Sequence, residues 1–348
     1  MGFIWAILAN VEPAFRTVTD ASDPGIRVLM KAPAATADIG IALLVAFALR
    51  DRPRWAVAGA AVILLHPAVI DVSAWWGQYE SIYLLAALVA TILAINGRNG
   101  WAAAAIAISV MTKPQALPLL LPFAAWFWAT GGWRTLARAT LIGAAVIAVL
   151  WLPFAASGGP LDYLRNLNTY QADIFNILSL RAWNVWWLVQ VAAAGGEFIA
   201  DDSAFLGPVT LRHVGYAIAA LMELGVAVAI VRRPRPQTLM MGLAASVLVV
   251  FSFATQMHER YAYGALVFLA LMIGRPGPRW LGLAFGVVFT LNLLAAVPPT
   301  PDIGTLLPVS GVLGVGGSIA MLAITYAALR MLVATQPGPV GAPAPRAP

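Results

Sequence analysis

Charge and sulfur are scarce in this chain. Of its 348 residues only 10% are charged, three are histidine and none is cysteine. The absence of cysteine excludes disulfides and thiolate metal sites, and it is compatible with either side of a membrane. Apolar residues are abundant instead, at 61% of the chain with a mean hydropathy of +0.83, whereas about half of an ordinary globular domain is apolar. This excess predicts a polytopic membrane protein.

The apolar runs are long and continuous, and they do not alternate with the period of two that a membrane β-barrel requires. We therefore predict an all-α fold, a transmembrane helical bundle with 11 candidate spans. The short runs near 101–129 are also compatible with packed or re-entrant helices. The predicted spans are 33–49, 55–70, 80–95, 101–112, 114–129, 136–155, 212–231, 238–254, 261–274, 280–297 and 310–330.

If the spans alternate in direction, the basic residues separate by side. One side holds 13 of the 21 lysines and arginines with Asp51 as its single acid, and the other side holds 12 of the 15 acids. By the positive-inside rule the arginine-rich side is cytoplasmic. We expect an integral protein of a bacterial plasma membrane whose polar turns face the periplasm or the outside. The basic residues lie in short loops between spans, so they do not indicate nucleic acid binding.

Composition divides the chain into five predicted parts. Trp183, Trp186 and Trp187 recur at helical spacing among polar residues, which predicts an amphipathic helix at the membrane interface. A final stretch rich in proline, glycine and alanine predicts disorder. The parts are an external loop at 1–32, a helical module at 33–155, an external loop with the amphipathic helix at 156–211, C-terminal transmembrane helices at 212–334 and a cytoplasmic tail at 335–348.

Two polar stretches lie between spans on the predicted external side. HPAVIDVSAWWGQYES at 66–81 combines groups that stack on and hydrogen-bond a polar ligand. An aromatic belt with a polar turn is the alternative, but Gln78 and Glu80 at the start of an apolar run do not fit it. MTKPQALPLLLP at 111–122 places Lys113 before a proline that breaks the helix. Lys113 suits a phosphate, and a snorkelling anchor is the alternative.

A third polar stretch, FATQMHERYAY at 253–263, places His258, Glu259 and Arg260 side by side. A zinc protease motif requires a second histidine four positions after the first, and Ala262 stands there instead. Arginine and histidine beside a carboxylate form an anion-binding set in which Glu259 orients Arg260. A solvated turn is the alternative, but charges at membrane depth are costly and usually functional.

Two acids, Asp38 and Glu223, lie inside predicted spans. Buried carboxylates in a helical bundle often bond to neighbouring helices, so we favour a structural role for both. A proton relay is the functional alternative.

These stretches, together with VLMKAPAATADIG at 28–40, occur in an order that resembles the GT-C superfamily of integral-membrane glycosyltransferases. The most similar members are bacterial mannosyltransferases and the dolichyl-phosphate-glucose-dependent glucosyltransferases. The resemblance covers residues from about 28 to about 275. It implies an inverting transfer of mannose or glucose from a polyprenyl-phosphate carrier to a hydroxyl of a glycan, lipid or protein acceptor.

The resemblance also implies roles for individual residues. The departing phosphate develops charge that cations stabilise, and the candidates for this role are Lys113, His258 and Arg260. The candidates for sugar or acceptor contacts are Gln78, Tyr79, Glu80, Gln115 and Glu259. No acidic pair has metal-ligand spacing, so we assign no metal site or cofactor and leave a divalent metal open.

In such enzymes the catalytic carboxylate follows the first transmembrane helix, a position that would fall before Met1. The predicted orientation also makes residues 1–32 external with no preceding span to carry them across. We therefore expect an upstream helix and catalytic loop to be missing, which would leave the chain inactive as supplied. Asp20 and Asp23 are weak substitutes for the base. A transporter, or a polysaccharide ligase or polymerase that handles lipid-linked sugars, is the alternative function.

Overall fold

A computed structural model describes residues 24–169 and 175–334. Asp20, Asp23 and the predicted tail at 335–348 lie outside the described residues. The helices are α1 (Pro24–Ala48), α2 (Pro53–Leu65), α3 (Pro67–Val69), α4 (Glu80–Ile95), α5 (Asn99–Thr112), α6 (Leu120–Ala155), α7 (Gly159–Thr169), α8 (Val185–Ala194), α9 (Leu211–Arg232), α10 (Pro236–Phe253), α11 (Tyr263–Ala270), α12 (Pro276–Ala296), α13 (Pro301–Leu306) and α14 (Gly311–Ala334).

Several short elements connect these helices. A π-helical turn, Ile70–Trp75, continues α3, and 3₁₀ turns occur at Pro114–Leu119 and Glu259–Ala262. Strand β1 (Ser179–Leu180) pairs in parallel with β4 (Met257–His258), and β2 (Ala204–Leu206) pairs antiparallel with β3 (Val209–Thr210). The strands are too short to form a layer, so the described chain is a helical bundle with small outer pairings.

Six helical segments of the described ranges are long and apolar enough to cross a membrane, or seven if the bent pair of α2 and Pro67–Trp75 counts as one span. The chain is therefore an integral membrane protein. The predicted count of 11 spans is not confirmed, because α4, α5 and α11 are shorter than a full span and 114–129 and 136–155 join in one segment, Pro114–Ala155. That segment leaves helical geometry at Gly132, with φ of 67° and ψ of −170°, which glycine adopts without a Cβ clash.

Two segments differ from the sequence-based expectation. Helix α1 begins at Pro24, inside the predicted external loop at 1–32, and proline is favoured in the first turn of a helix. The tryptophans at 183, 186 and 187 are buried in the protein, so their rings pack against other helices and not against lipid. Gly317 of α14 makes room for one of them, since a Cβ there would lie 2.0 Å from the Trp183 ring. Trp183 also donates a hydrogen bond from Nε1 to the Val309 carbonyl at 3.2 Å.

Helix α10 forms the centre of the bundle and packs against α9, α11 and α14. It begins with Pro236 at its first position, where the missing N–H costs nothing, and it is buried along most of its length. Gly242 lets α9 approach closely, because a Cβ there would lie 2.7 Å from the Ile230 side chain. A few residues after the C-terminal end of α10 at Phe253 come His258, Glu259 and Arg260, which we call the HER turn. Because α10 is surrounded by protein, the HER turn lies in a protected position.

Both acids within predicted spans bond to neighbouring helices, as the structural interpretation predicts. Asp38 accepts hydrogen bonds from Ser81 and, at 2.6 Å, from the Tyr263 hydroxyl. Glu223 accepts one from Ser246 at 2.8 Å, while its other carboxylate oxygen has no partner among the described residues. Asp38 thus ties α1, α4 and α11 together directly behind the first turn of α4.

Candidate functional site

An ion pair joins the two ends of the hairpin formed by α4 and α5. Glu80 begins α4 and Lys113 follows the last residue of α5, so the two antiparallel helices bring them to the same end. Lys113 Nζ lies 2.6 Å from Glu80 Oε1, and Glu80 is fully buried. A carboxylate at a helix N-terminus and a cation at a helix C-terminus are each favoured by the helix dipole. Pro114 ends the helical hydrogen bonding there, which fixes the lysine at the break.

The HER turn brings a second cation to the same carboxylate. Arg260 Nε lies 3.1 Å from Glu80 Oε1, the oxygen that also accepts from Lys113. The Arg260 guanidinium stacks on two aromatic rings, 4.8 Å from the Trp76 centroid and 5.3 Å from the Tyr261 centroid. Glu80 and these rings therefore hold two cations side by side in a partly buried position.

Glu259 and His258 complete this cluster, which we call the ionic cluster: Glu80, Lys113, His258, Glu259 and Arg260. Arg260 Nη1 lies 3.1 Å from Glu259 Oε1 and 3.1 Å from His258 Nδ1. The Arg260 Nη2 group donates to no described residue, so its N–H bonds remain available to a ligand.

His258 is neutral in this environment. Burial and the positive charges of Arg260 and Lys113 lower its pKa to about 3. Its Nδ1 therefore accepts from Arg260, which places the ring proton on Nε2. His258 can donate a hydrogen bond to a phosphate, but it does not supply the positive charge that the sequence interpretation assigned to it.

The pKa values of Lys113 and Glu259 are shifted in opposite directions. Burial lowers the pKa of Lys113, although the neighbouring Glu80 opposes the shift. Burial raises the pKa of Glu259, and Arg260 opposes that shift. In both cases removal from water disfavours the charged form more than the partner favours it.

The stretch at 175–210, which leads into α9 and which we call the outer segment, positions His258. The backbone pairing of β1 with β4 sets Leu180 opposite His258, and the Gln256 N–H donates to the Ile177 and Leu178 carbonyls. Gln256 has a positive φ of 63°, which is uncommon for a residue other than glycine. This strained residue redirects the chain from α10 into the HER turn, and sequence patterns give no sign of it.

A cavity of about 530 Å³ opens beside the ionic cluster and extends along α9 and α10. Its polar end is lined by Gln115, His258 and Tyr261, and its remaining walls are mainly apolar. Gln115 hydrogen-bonds the Tyr261 hydroxyl, while its own buried Oε1 has no partner among the described residues. Buried polar atoms are usually paired, so an unpaired one facing a cavity marks a place for a ligand group.

The structure brings together most of the residues predicted for the site. Lys113, Glu80 and the three residues of the HER turn form one cluster, and Gln115 joins it through Tyr261. Gln78 and Tyr79 do not join it: Tyr79 is exposed, and neither side chain bonds to a described residue of the cluster. A positive-φ glycine at 77 turns the chain just before them.

Three further residues belong to this region. Trp76 and Tyr261 stack on Arg260, and the buried Asp71 lies near enough to Glu259 for their carboxylates to repel each other. One Asp71 carboxylate oxygen has no hydrogen-bond partner among the described residues. Asp71 and Trp76 occur in the polar stretch at 66–81 and Tyr261 in the polar stretch at 253–263, so their motifs were a signal, but no role was predicted for any of the three residues.

No group of three or more histidine, cysteine or acidic side chains within 24–169 and 175–334 is arranged to hold a metal ion.

The fold and the site together define a helical membrane protein with a partly buried cluster of cations and carboxylates beside a cavity. Residues 26–257 match glycosyltransferase family 87. The match covers most of the chain, and the protein belongs to this family. It is thus a glycosyltransferase with a sugar donor and an acceptor, which favours an enzyme over the transporter alternative. No curated protein matches the chain.

Proposed function

We propose that this glycosyltransferase has the GT-C type of site and moves a hexose, mannose or glucose, from a polyprenyl-phosphate carrier to an acceptor hydroxyl on the external face of the membrane. The observation that supports this donor most directly is that two cations lie against residues at the polar end of a cavity whose remaining walls are mainly apolar: Lys113 and Arg260 both contact Tyr261, and Arg260 also bonds His258. A polyprenyl-phosphate sugar has the matching sequence of parts: a sugar, an anionic phosphate and an apolar chain.

The reaction is a displacement at the anomeric carbon with inversion. The acceptor oxygen bonds to that carbon, the bond from the carbon to the phosphate oxygen breaks, and the phosphate leaves with the electron pair. The acceptor proton passes to a general base that is not identified among the described residues; the weak candidates Asp20 and Asp23 lie outside them. Lys113 and Arg260 stabilise the charge that develops on the leaving phosphate, and His258 adds a neutral donor.

Glu80 keeps the two cations in place before the donor arrives. Without it, two positive charges would repel each other across a partly buried space. Since both cations share one oxygen of Glu80, the free donors on Arg260 Nη2 and on the Lys113 ammonium can bind phosphate while the ion pairs remain. Gln115 Oε1 is free to accept a hydrogen bond from a sugar hydroxyl.

The test is a transfer assay with radiolabelled polyprenyl-phosphate mannose and polyprenyl-phosphate glucose, with nucleotide sugars as control donors. We expect transfer from a lipid-linked donor and none from a nucleotide sugar, and an anomeric configuration in the product opposite to that in the donor. Transfer from the nucleotide sugar alone, or retention of configuration, would contradict the proposal. Glycan, lipid and protein acceptors are compared in the same assay.

A further inference from the structure

A second cavity lies apart from the ionic cluster, between α2, α11 and α12. It has a volume of about 390 Å³ and is lined mainly by apolar groups of these helices, with Arg279 at one end and His66 and Thr290 at the other. Gly282 and Gly286 on α12 line the groove, and Gly286 makes room for the His66 ring, since a Cβ there would lie 2.4 Å from His66 Nε2. From Arg279 to Leu291 the helix rises about 18 Å, which is close to the depth of one leaflet, about half of a ~30 Å hydrocarbon layer.

Arginines and a tryptophan surround the Arg279 end. The Trp55 ring has Arg279 Cζ 5.1 Å and Arg54 Cζ 5.0 Å from its centroid, so both guanidinium groups lie against one aromatic ring. Next to it is a depression of about 520 Å³ lined by Arg52, Pro53, Arg54, Trp55 and Gly274. Gly274 packs closely on the ring, since a Cβ there would lie 3.2 Å from Trp55 Cδ1. We call this region the arginine mouth.

The arginine mouth holds uncompensated positive charge. No ion pair between described residues involves Arg52, Arg54 or Arg279, and the nearby acid of the same loop, Asp51, has no ion-pair partner in that part of the chain either. Helices α2 and α12 also begin here, each with proline in its first turn and neither with a side-chain cap. Their free N–H groups and positive dipole ends add to the attraction for an anion.

We propose that this groove binds one anionic glycerophospholipid, with its phosphate between Arg54 and Arg279 and one acyl chain along α12. Stacking on Trp55 fixes the guanidinium planes, and a fixed guanidinium recognises phosphate through paired hydrogen bonds. The apolar walls below suit a hydrocarbon chain, whereas a free anion would use only the mouth. A zwitterionic lipid would bring a cationic amine towards the same arginines and bind less well.

This site is separate from the transfer site. Helix α11 and the residues after it lead from the turn that carries Arg260 to Gly274 in the arginine mouth, so the two sites lie at opposite ends of that segment. The mouth is on the arginine-rich side, predicted to be cytoplasmic, where anionic lipids attract basic residues. A bound lipid would link α2 to α12 on the surface of α11 and stabilise their packing.

The experiment measures lipid binding by the full chain after delipidation in a neutral detergent. Phosphatidylglycerol and phosphatidylcholine with identical acyl chains are titrated separately, with the melting temperature and the lipid retained in native mass spectrometry as readouts. We expect phosphatidylglycerol to raise the melting temperature saturably and to remain bound, and phosphatidylcholine to do neither. Glycerophosphate and inorganic phosphate test for an anion site without a chain, and polyprenyl phosphate tests for a different lipid.

Variants separate the two halves of the site. Replacing both arginines, Arg54→Gln with Arg279→Gln, should weaken the apparent affinity roughly 30-fold. The control with the same loss of charge on the same predicted side is Arg98→Gln with Arg134→Gln, which should bind as the unchanged protein does. Gly282→Leu fills the groove and should weaken binding with all arginines present, while Gly225→Leu, at an open position on α9, should not.

Arg279→Gln alone is used if the double variant does not fold, and it should weaken binding about fivefold. The proposal is overturned if both phospholipids shift the melting temperature equally, if the arginine variants bind phosphatidylglycerol normally, or if free phosphate reproduces the full shift. Polyprenyl phosphate also binds the proposed transfer site, so it overturns this proposal only if its retention, and not that of phosphatidylglycerol, falls in the variant with Arg54→Gln and Arg279→Gln. None of these results depends on transferase activity.

Discussion

Asp201 and Glu80 are both buried carboxylates with ion-pair partners, but they differ in how many of their oxygens accept hydrogen bonds. Both Asp201 oxygens lie 3.0 Å from Arg212 Nε, and one of them also accepts from Thr255 at 2.7 Å. Glu80 uses a single oxygen for both of its cations, and its Oε2 has no partner among the described residues. Both oxygens of Asp201 are therefore hydrogen-bonded, and this carboxylate holds the outer segment against α9. Glu80 lies beside a cavity and has one oxygen that can still accept a hydrogen bond from a ligand.

This comparison shows why burial and charge do not by themselves identify a site. Removing one partner of a buried ion pair strongly destabilises a protein, although the intact pair often contributes little net stability. What distinguishes the ionic cluster is the combination of an unfilled carboxylate oxygen, unused donors on Arg260 and an adjacent cavity. The predictions below test whether the two clusters separate into a structural one and a functional one.

The largest expected effect is on stability, for Arg212→Ala. This change leaves the fully buried Asp201 charge without its partner and should lower the free energy of unfolding by about 3 to 5 kcal/mol. Unfolding in detergent by denaturant measures it. The matched control is Arg165→Ala, which breaks the exposed pair with Asp162 and should cost less than about 1 kcal/mol. Equal losses in the two variants would contradict the structural role of Asp201.

The next effect is on catalysis, for Arg260→Ala. Loss of one preorganised cation at the leaving phosphate should remove about 2 to 4 kcal/mol of transition-state stabilisation. Lys113→Ala should have an effect of the same size. The measurement is kcat/KM with the lipid-linked donor, compared with Arg165→Ala protein, which loses an exposed arginine outside the ionic cluster and should keep its activity. Full activity in Arg260→Ala would remove the main support for the site.

Glu80→Gln should have a smaller effect, because it removes the charge that gathers the cations but keeps an acceptor oxygen. We expect a loss of about 1 to 3 kcal/mol in transition-state stabilisation, the range for a hydrogen bond to a charged group. The double variant with Arg260→Ala should lose less than the sum of the two single losses, with a difference of about 0.5 to 3 kcal/mol. Strict additivity would show that Glu80 does not act through Arg260.

Gln115→Ala tests the sugar contact. Removal of a neutral acceptor that faces the cavity should cost about 0.5 to 1.5 kcal/mol in kcat/KM. The effect should depend on the sugar, so the ratio of mannose to glucose transfer is measured in parallel. An unchanged ratio together with unchanged kcat/KM would mean that Gln115 only supports Tyr261.

The smallest effect near neutral pH is expected for Lys113→Arg. The pKa of Lys113 is lowered by burial, so its charge, and with it donor binding, is lost on raising the pH sooner than for an ordinary lysine. Arginine stays protonated, so the variant should keep its activity further into the alkaline range while changing little at pH 7. An identical alkaline limb in both proteins would contradict this assignment.

The pH profile should also have no step near pH 6 to 7 from His258. The pKa of about 3 leaves this ring neutral throughout the physiological range. The sequence pattern HER suggested a charged histidine, because the pattern does not include the desolvation and the two neighbouring cations that the fold brings to it.

The sequence predicted turns that the structure brings together, but it did not predict which side chains pair with each other. Lys113 and Arg260 were predicted as cations for one phosphate, and the structure places them on one carboxylate oxygen. Glu80 was expected to contact the sugar, yet it bonds the cations, because a pairing across 33 and 180 residues depends on how the helices pack. Tyr79 precedes it by one residue and faces outward.

The amino-acid sequence by itself determined that this protein lies in a membrane, and hence that its secondary structure is helical. Its long apolar runs must satisfy their backbone groups internally in a membrane, and helices do this locally. Only the tertiary structure decided which of its few ionisable side chains form ion pairs, which keep an oxygen or N–H without a partner among the described residues, and which become neutral. These outcomes depend on burial and on distances of about 3 Å between distant segments, and local sequence patterns do not specify either.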